Sequence, residues 1–186
     1  MTAARIAGPR ATSYPAGVEA VHCEPGDFIL THTHGVGGAL IRWGQRIRFR
    51  GQDRLYAQWN HAALIVSTAG DLVEALTRTG ATRSHLAKYA HVEYTLVRSY
   101  ATVIDQGQIM DFAERIVGEG YGWTNDAAAF LAFLTGWGLT VSMKGQIMCS
   151  ELVARALERK GDYYDLPTCR ISPAALARYH DVRITL

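Results

Sequence analysis

The sequence predicts an α+β fold in which an antiparallel sheet packs against a helix that opens on a cysteine. Three observations point there. NHAALIVSTAGDLVEAL (Asn60 to Leu76) holds two β-rich runs split by a Ser-Thr-Ala-Gly turn, the pattern of an antiparallel hairpin. CSELVARALERKG (Cys149 to Gly161) puts Cys149, Leu152, Val153, Ala156 and Leu157 on one helical face, with Lys160 and Gly161 closing the helix. Strand signals come first along the chain and helix signals later, so the two kinds of element are segregated rather than alternating.

In chain order, residues 1–25 carry Arg5, Pro9, Arg10 and Pro15 without an apolar run, and read as an N-terminal arm that lacks the signature of a secretory signal. GDFILTH (Gly26 to His32) follows a Pro-Gly pair and reads as a buried strand opening a single domain over 26–186. GALIRWGQRI (Gly38 to Ile47) spaces Leu40, Ile41, Gly44 and Ile47 as a short amphipathic helix. In the basic run that ends it, Arg46, Arg48 and Arg50 alternate with Ile47 and Phe49, which predicts the solvated face of an extended segment. After the hairpin, VEYTLVRS (Val92 to Ser99) alternates as a third strand, and QIMDFAERIV (Gln108 to Val117) has helical periodicity ended by Gly118. Ala127 to Val141 is the most apolar window, but Gly136 and Gly138 interrupt it and it is shorter than the roughly 18 residues of a membrane span, so a buried helix and its exit loop are expected. Ser172-Pro173 supplies the N-cap and first residue of a last short helix through Tyr179, and VRITL offers an edge strand.

Composition narrows the function. The 186 residues suffice for one core without disulfide or metal support, and 48% hydrophobic against 19% charged residues argues against disorder. A net charge of +2 gives no reason to expect a nucleic-acid partner. Cys23, Cys149 and Cys169 are odd in number and widely spaced, so they suggest neither a disulfide framework nor a zinc ribbon. A reducing, cytoplasmic setting is expected.

Cys149 is the residue with most chemical promise. A helix N-terminus lowers a thiol pKa because its unsatisfied N–H groups and dipole favour the thiolate, and the same N–H groups of Cys149 and Ser150 offer an oxyanion hole. Core packing is the alternative, since free cysteine is among the most buried residue types.

His61 begins a strand and shares a face with Ala63 and Ile65. If Ser67 to Gly70 form a four-residue loop, Val66 pairs with Asp71 and Ala63 faces Glu74, which makes His61 and Glu74 diagonal neighbours roughly 7–8 Å apart at the backbone. An even loop keeps both side chains on one face; an odd loop separates them. Glu74 would then orient the His61 imidazole, completing a nucleophile, base and orienter. A structural histidine and a solvated glutamate are the plainer readings. His32 and His34, in HTHG, share a strand face, but a metal site needs at least one further ligand. Ser150 lacks the Gly-x-Ser-x-Gly elbow of serine nucleophiles, and no phosphate-binding glycine loop occurs.

Taken together, GDFIL, NHAALIV followed by LVEAL, then GYGW and CSELVARAL make this sequence resemble the circularly permuted papain-like amidases of the NlpC superfamily, in the YiiX-like branch. The resemblance spans roughly Gly26 to Tyr179. It implies a permuted papain-like catalytic domain with Cys149 as nucleophile, His61 as general base and Glu74 as orienting acid. Tyr121, in GYGW, matches a tyrosine that such proteins often carry near the pocket, and with Trp123, Ser150 and Asn60 it forms the expected substrate-binding set. Asn60 stands where a small hydroxyl residue is expected before the histidine.

The expected function is therefore a cysteine hydrolase, an amidase or thiol protease acting on a peptide or lipid/acyl amide through a thioester and needing no cofactor. The alternatives are a lecithin retinol acyltransferase-like acyltransferase or thioesterase, and an inactive binding module of the same fold. A small-molecule or peptide substrate is the expected partner, and the apolar window leaves a lipid or membrane-surface contact open.

Overall fold

The structure is a computed structural model that describes residues 10–32, 36–76, 79–118 and 148–183. It is a mixed α+β protein built on one antiparallel sheet of six strands, ordered β1-β6-β2-β3-β4-β5. The strands are β1 (Ala11–Tyr14), β2 (Phe28–Thr31), β3 (His61–Ile65), β4 (Asp71–Leu76), β5 (Gly80–His85) and β6 (Tyr94–Val97). Among the described residues the α-helices are α1 (Val36–Arg48), α2 (Val103–Ile116), α3 (Cys149–Leu157) and α4 (Pro173–Tyr179). Among the described residues no helix is long and apolar enough to cross a membrane; the window Ala127 to Val141 lies outside them.

The central strands are largely apolar because both sheet faces are covered. Phe28, Leu30, Ala62, Leu64, Val73 and Val97 point toward α2, α3 and α4, whereas Ile29, Ala63, Ile65, Leu72 and Leu96 point to a smaller cluster closed by Cys23, Leu86 and Tyr89. Helix α3 packs chiefly on β3 and β4, with Leu152, Val153, Ala156 and Leu157 buried.

The hairpin has the expected register. Leu64 pairs with Val73 and Ile65 with Leu72, and the Val66 N–H donates to the Asp71 carbonyl at 2.9 Å. Its four-residue loop is held by Ser67, whose hydroxyl donates to the Asp71 carboxylate at 2.6 Å and accepts from the Ala69 and Asp71 N–H groups. Gly70 closes the loop at φ +93°, a conformation costly for any residue with a Cβ.

Four local expectations change. The alternating arginines are not extended: Arg46 and Arg48 form the last turn of α1. A period of two over five residues cannot be told from a helix end, and buried Phe49 anchors the turn through its N–H to the Gln45 carbonyl at 2.8 Å. The arm is extended but docked, since residues 11–14 pair with β6 as an edge strand. Helix α2 starts five residues early, at Val103, because Thr102 and Asp105 form a capping box. Strand β5 went unpredicted, because GATRSH is polar and its only strand partner is β4. Ser172 caps α4 as expected, accepting from the Ala175 N–H at 3.2 Å. The end of VRITL lies outside the described residues.

Candidate active site

The chain ahead of β3 is anchored from several sides, which fixes where His61 begins. The Trp59 indole donates to the Val182 carbonyl at 2.9 Å. Gln45, buried on α1, donates to the Trp59 carbonyl at 2.7 Å and accepts from the Ala174 N–H of α4 at 2.8 Å. Asn60 is buried, its amide donating to the Gly38 carbonyl at 3.2 Å and its N–H to the Thr31 carbonyl at 3.3 Å. Such a web satisfies buried polar groups and leaves the strand entry little freedom.

From that entry His61 Nε2–H donates to Glu74 Oε2 at 2.9 Å. Glu74 has no solvent exposure, so its carboxylate must be compensated by protein donors. Two come from the short 3₁₀ turn Leu86–Tyr89: Tyr89 Oη donates to Oε2 at 2.5 Å and Lys88 Nζ to Oε1 at 2.7 Å. The Tyr89 ring also stacks on the His61 ring, with centroids 6.1 Å apart and planes 25° from parallel. Burial alone would raise the Glu74 pKa, but the bonds from His61, Lys88 and Tyr89 hold it far below the ordinary carboxylate range. Burial and the Glu74 charge push the Tyr89 phenol up, so it stays a donor.

Cys149 is the first residue of α3, and its sulfur lies beside the His61 ring, close enough for each group to shift the other's proton affinity. With Nε2 engaged by Glu74, Nδ1 is the nitrogen left for that sulfur. The Ala62 and Ser150 backbone amides also favour the thiolate. Burial raises the thiol pKa; the imidazole and the two N–H groups outweigh it and leave the thiol below its ordinary value. Burial lowers the His61 pKa, whereas the Cys149 sulfur and Glu74 raise it, with a net rise to about 9. Opposite shifts in a touching pair favour thiolate and imidazolium together. Both residues keep 7% exposure.

Glu151, at the third position of α3, accepts from the Met148 N–H at 3.4 Å and pairs with Arg155 at 2.8 Å, which steadies the helix start. The Ser150 hydroxyl is committed inward, donating to the Ile171 carbonyl at 2.6 Å. Of the expected site residues, then, Cys149, His61 and Glu74 converge, and Ser150 and Asn60 flank them with inward-bonded side chains. Tyr121 and Trp123 lie outside the described residues.

Of the other cysteines, Cys23 is buried on the far sheet face, where burial pushes its thiol up, and Cys169 is exposed. His32 follows β2 and stacks on Trp59 at 5.4 Å, with Glu93 Oε2 at 4.0 Å from its Nε2; His34 lies outside the described residues. Among the described residues no group of three or more His, Cys, Asp or Glu side chains could hold a metal ion. Lys88 and Tyr89 are the residues that sequence reasoning missed. Their only signal would have been the demand of a buried carboxylate for donors, which names no position.

No protein-family model matches the chain, and no curated protein matches it. Its fold is similar to the crystal structure of the metalloprotein yiiX from Escherichia coli O157:H7, DUF1105, with a TM-score of 0.50 and 16% sequence identity. The match covers 74% of this chain and 66% of that chain, so it spans just under two thirds of that protein's length. At this identity the likeness shows the fold alone, and it agrees with the YiiX-like part of the sequence resemblance.

Proposed function

We propose that the chain is a cysteine hydrolase of permuted papain-like fold that cleaves an amide bond, in a peptide or an acyl-lipid substrate, through a thioester. The observation that carries this reading is the line Cys149, His61, Glu74, in which the thiol is shifted down and the imidazole up. A buried cysteine that merely fills space has no need of an imidazole at its sulfur backed by a carboxylate with no solvent exposure.

In the proposed cycle the Cys149 thiolate attacks the carbonyl carbon, and the resulting oxyanion is held by N–H groups at the start of α3. His61 gives its proton to the departing amine as the C–N bond breaks, leaving a thioester on Cys149. Water then attacks that thioester while His61 takes its proton; the acid leaves and the thiolate–imidazolium pair is restored. Glu74 keeps the ring in one orientation throughout and stabilises its charged form. Lys88 and Tyr89 position Glu74.

The test is product analysis with panels of peptide amides and acyl-lipid amides, comparing the wild type with Cys149→Ala and following the intact mass of the protein. Free acid plus amine, an acyl adduct on the wild type and neither on the variant are expected. Acyl transfer to an added alcohol or amine without free acid would overturn hydrolysis in favour of an acyltransferase. Turnover that survives Cys149→Ala would remove the cysteine from the mechanism.

A further inference from the structure

Helix α1 presents an apolar stripe to solvent. Leu40, Trp43 and Ile47 are 49%, 54% and 37% exposed, and their spacing of three and four residues sets them in one row along the helix. The opposite side carries buried Gly38 and Gln45, so the helix is anchored on its inner face and bare on its outer one. The row is flanked by cations. At 100° per residue Arg42 and Arg46 fall on one side of it and Arg48 on the other, with Arg50 just past the helix end. From Val36 to Gln52 the sequence holds four arginines and no acidic residue, a local charge of +4 in a chain whose net charge is +2. Arg46 and Arg50 are exposed, the first bonded to the Gln58 side chain at 3.1 Å and the second to the Ile47 carbonyl at 3.2 Å. Asp53, just past this stretch in sequence, faces Arg178 at 3.8 Å, and Asp165 acts on Arg48.

An apolar row with a half-exposed tryptophan, bordered by arginines and free of acids, is the pattern of a helix lying in a membrane interface rather than of one seated on a protein. We propose that α1 docks on an anionic phospholipid surface, with Leu40, Trp43 and Ile47 in the boundary between headgroups and acyl chains and Arg46 and Arg50 on lipid phosphates. Charge complementarity selects this occupant: the local positive charge matches an anionic leaflet and would repel a second copy of the same face. The Asn60 amide bond to Gly38 joins the start of α1 to the entry of β3. Docking would thus set the His61 end of the sheet beside the lipid.

The test is flotation of the intact chain with vesicles of phosphatidylcholine alone and of phosphatidylcholine mixed with phosphatidylglycerol. It needs no turnover, so its failure is separate from failure of the hydrolase reading. The expected result is binding to the mixed vesicles at least about tenfold tighter than to the neutral ones, weakening as salt rises. Trp43→Ser and the double variant Arg46→Glu/Arg50→Glu should each lower it by about tenfold while circular dichroism stays native, because these side chains are exposed. Absence of binding by the folded wild type, or binding that ignores both variants, would overturn the proposal. So would one rival outcome: self-association in sedimentation that Trp43→Ser abolishes.

Discussion

Replacing Glu74 by Gln removes one charge at nearly constant shape and strikes the group on which three donors converge. The rise of His61 from 6.5 to about 9 is worth about 3 kcal/mol in favour of imidazolium, and the sulfur and Glu74 share it. Losing the carboxylate's part should move the alkaline limb of the activity profile down by about one pH unit. The amide can accept from two donors but turns its own NH₂ toward the third, so Nε2–H, Lys88 or Tyr89 meets a donor in a buried site. That mismatch costs about 2–3 kcal/mol, which for a chain of 186 residues lowers Tm by about 5–10 °C. With the ring less well oriented, kcat/KM should fall roughly 10²- to 10³-fold. The assay is kcat/KM against pH on a hydrolysed amide, with thermal unfolding followed in parallel. A variant whose pH profile and Tm both superpose on those of the wild type would refute the account of Glu74.

Two further expectations concern the scaffold. His180 is buried and accepts from Arg10 at 2.9 Å on Nδ1; burial, then the Arg10 charge, hold its pKa down at about 4. A folded-state pKa below the unfolded value of about 6.5 means the native state resists protonation, so this stability is present above about pH 6.5 and is lost as pH falls through about 4. The loss should reach about 3 kcal/mol in denaturant titrations, and His180→Gln, which keeps an acceptor for Arg10 but cannot take the proton, should flatten that part of the profile. Leu152→Ala, in the buried face of α3, should cost about 2–5 kcal/mol in the same titrations, and a loss under about 1 kcal/mol would contradict the packing of α3 on the sheet.

The sequence was most readable where periodicity and parity determine geometry. The even loop from Ser67 to Gly70 placed His61 and Glu74 on one face before any coordinates, because a period of two leaves only two choices. The start of α3 was readable from its apolar face, and the Ser172-Pro173 cap from the unsatisfied N–H groups that it serves. Elsewhere the deciding contacts are long-range. Strand β5 is specified by pairing with β4 rather than by its own polar residues, and β1 by the open edge of β6. Lys88 and Tyr89 reach Glu74 from a 3₁₀ turn whose position follows from the whole excursion after β4. The α1 end was misread because five alternating residues carry too little pattern to separate strand from helix.

In the proposed cycle His61 lowers the proton affinity of the Cys149 sulfur. The direct measurement is the rate of iodoacetamide alkylation at Cys149 against pH, resolved from Cys23 and Cys169 by peptide mass spectrometry, in the wild type and in His61→Ala. Expected is a wild-type acid limb below the ordinary thiol value of about 8.5, which His61→Ala returns to about that value or above. A single titration near 8.5 that is the same in both proteins would contradict it.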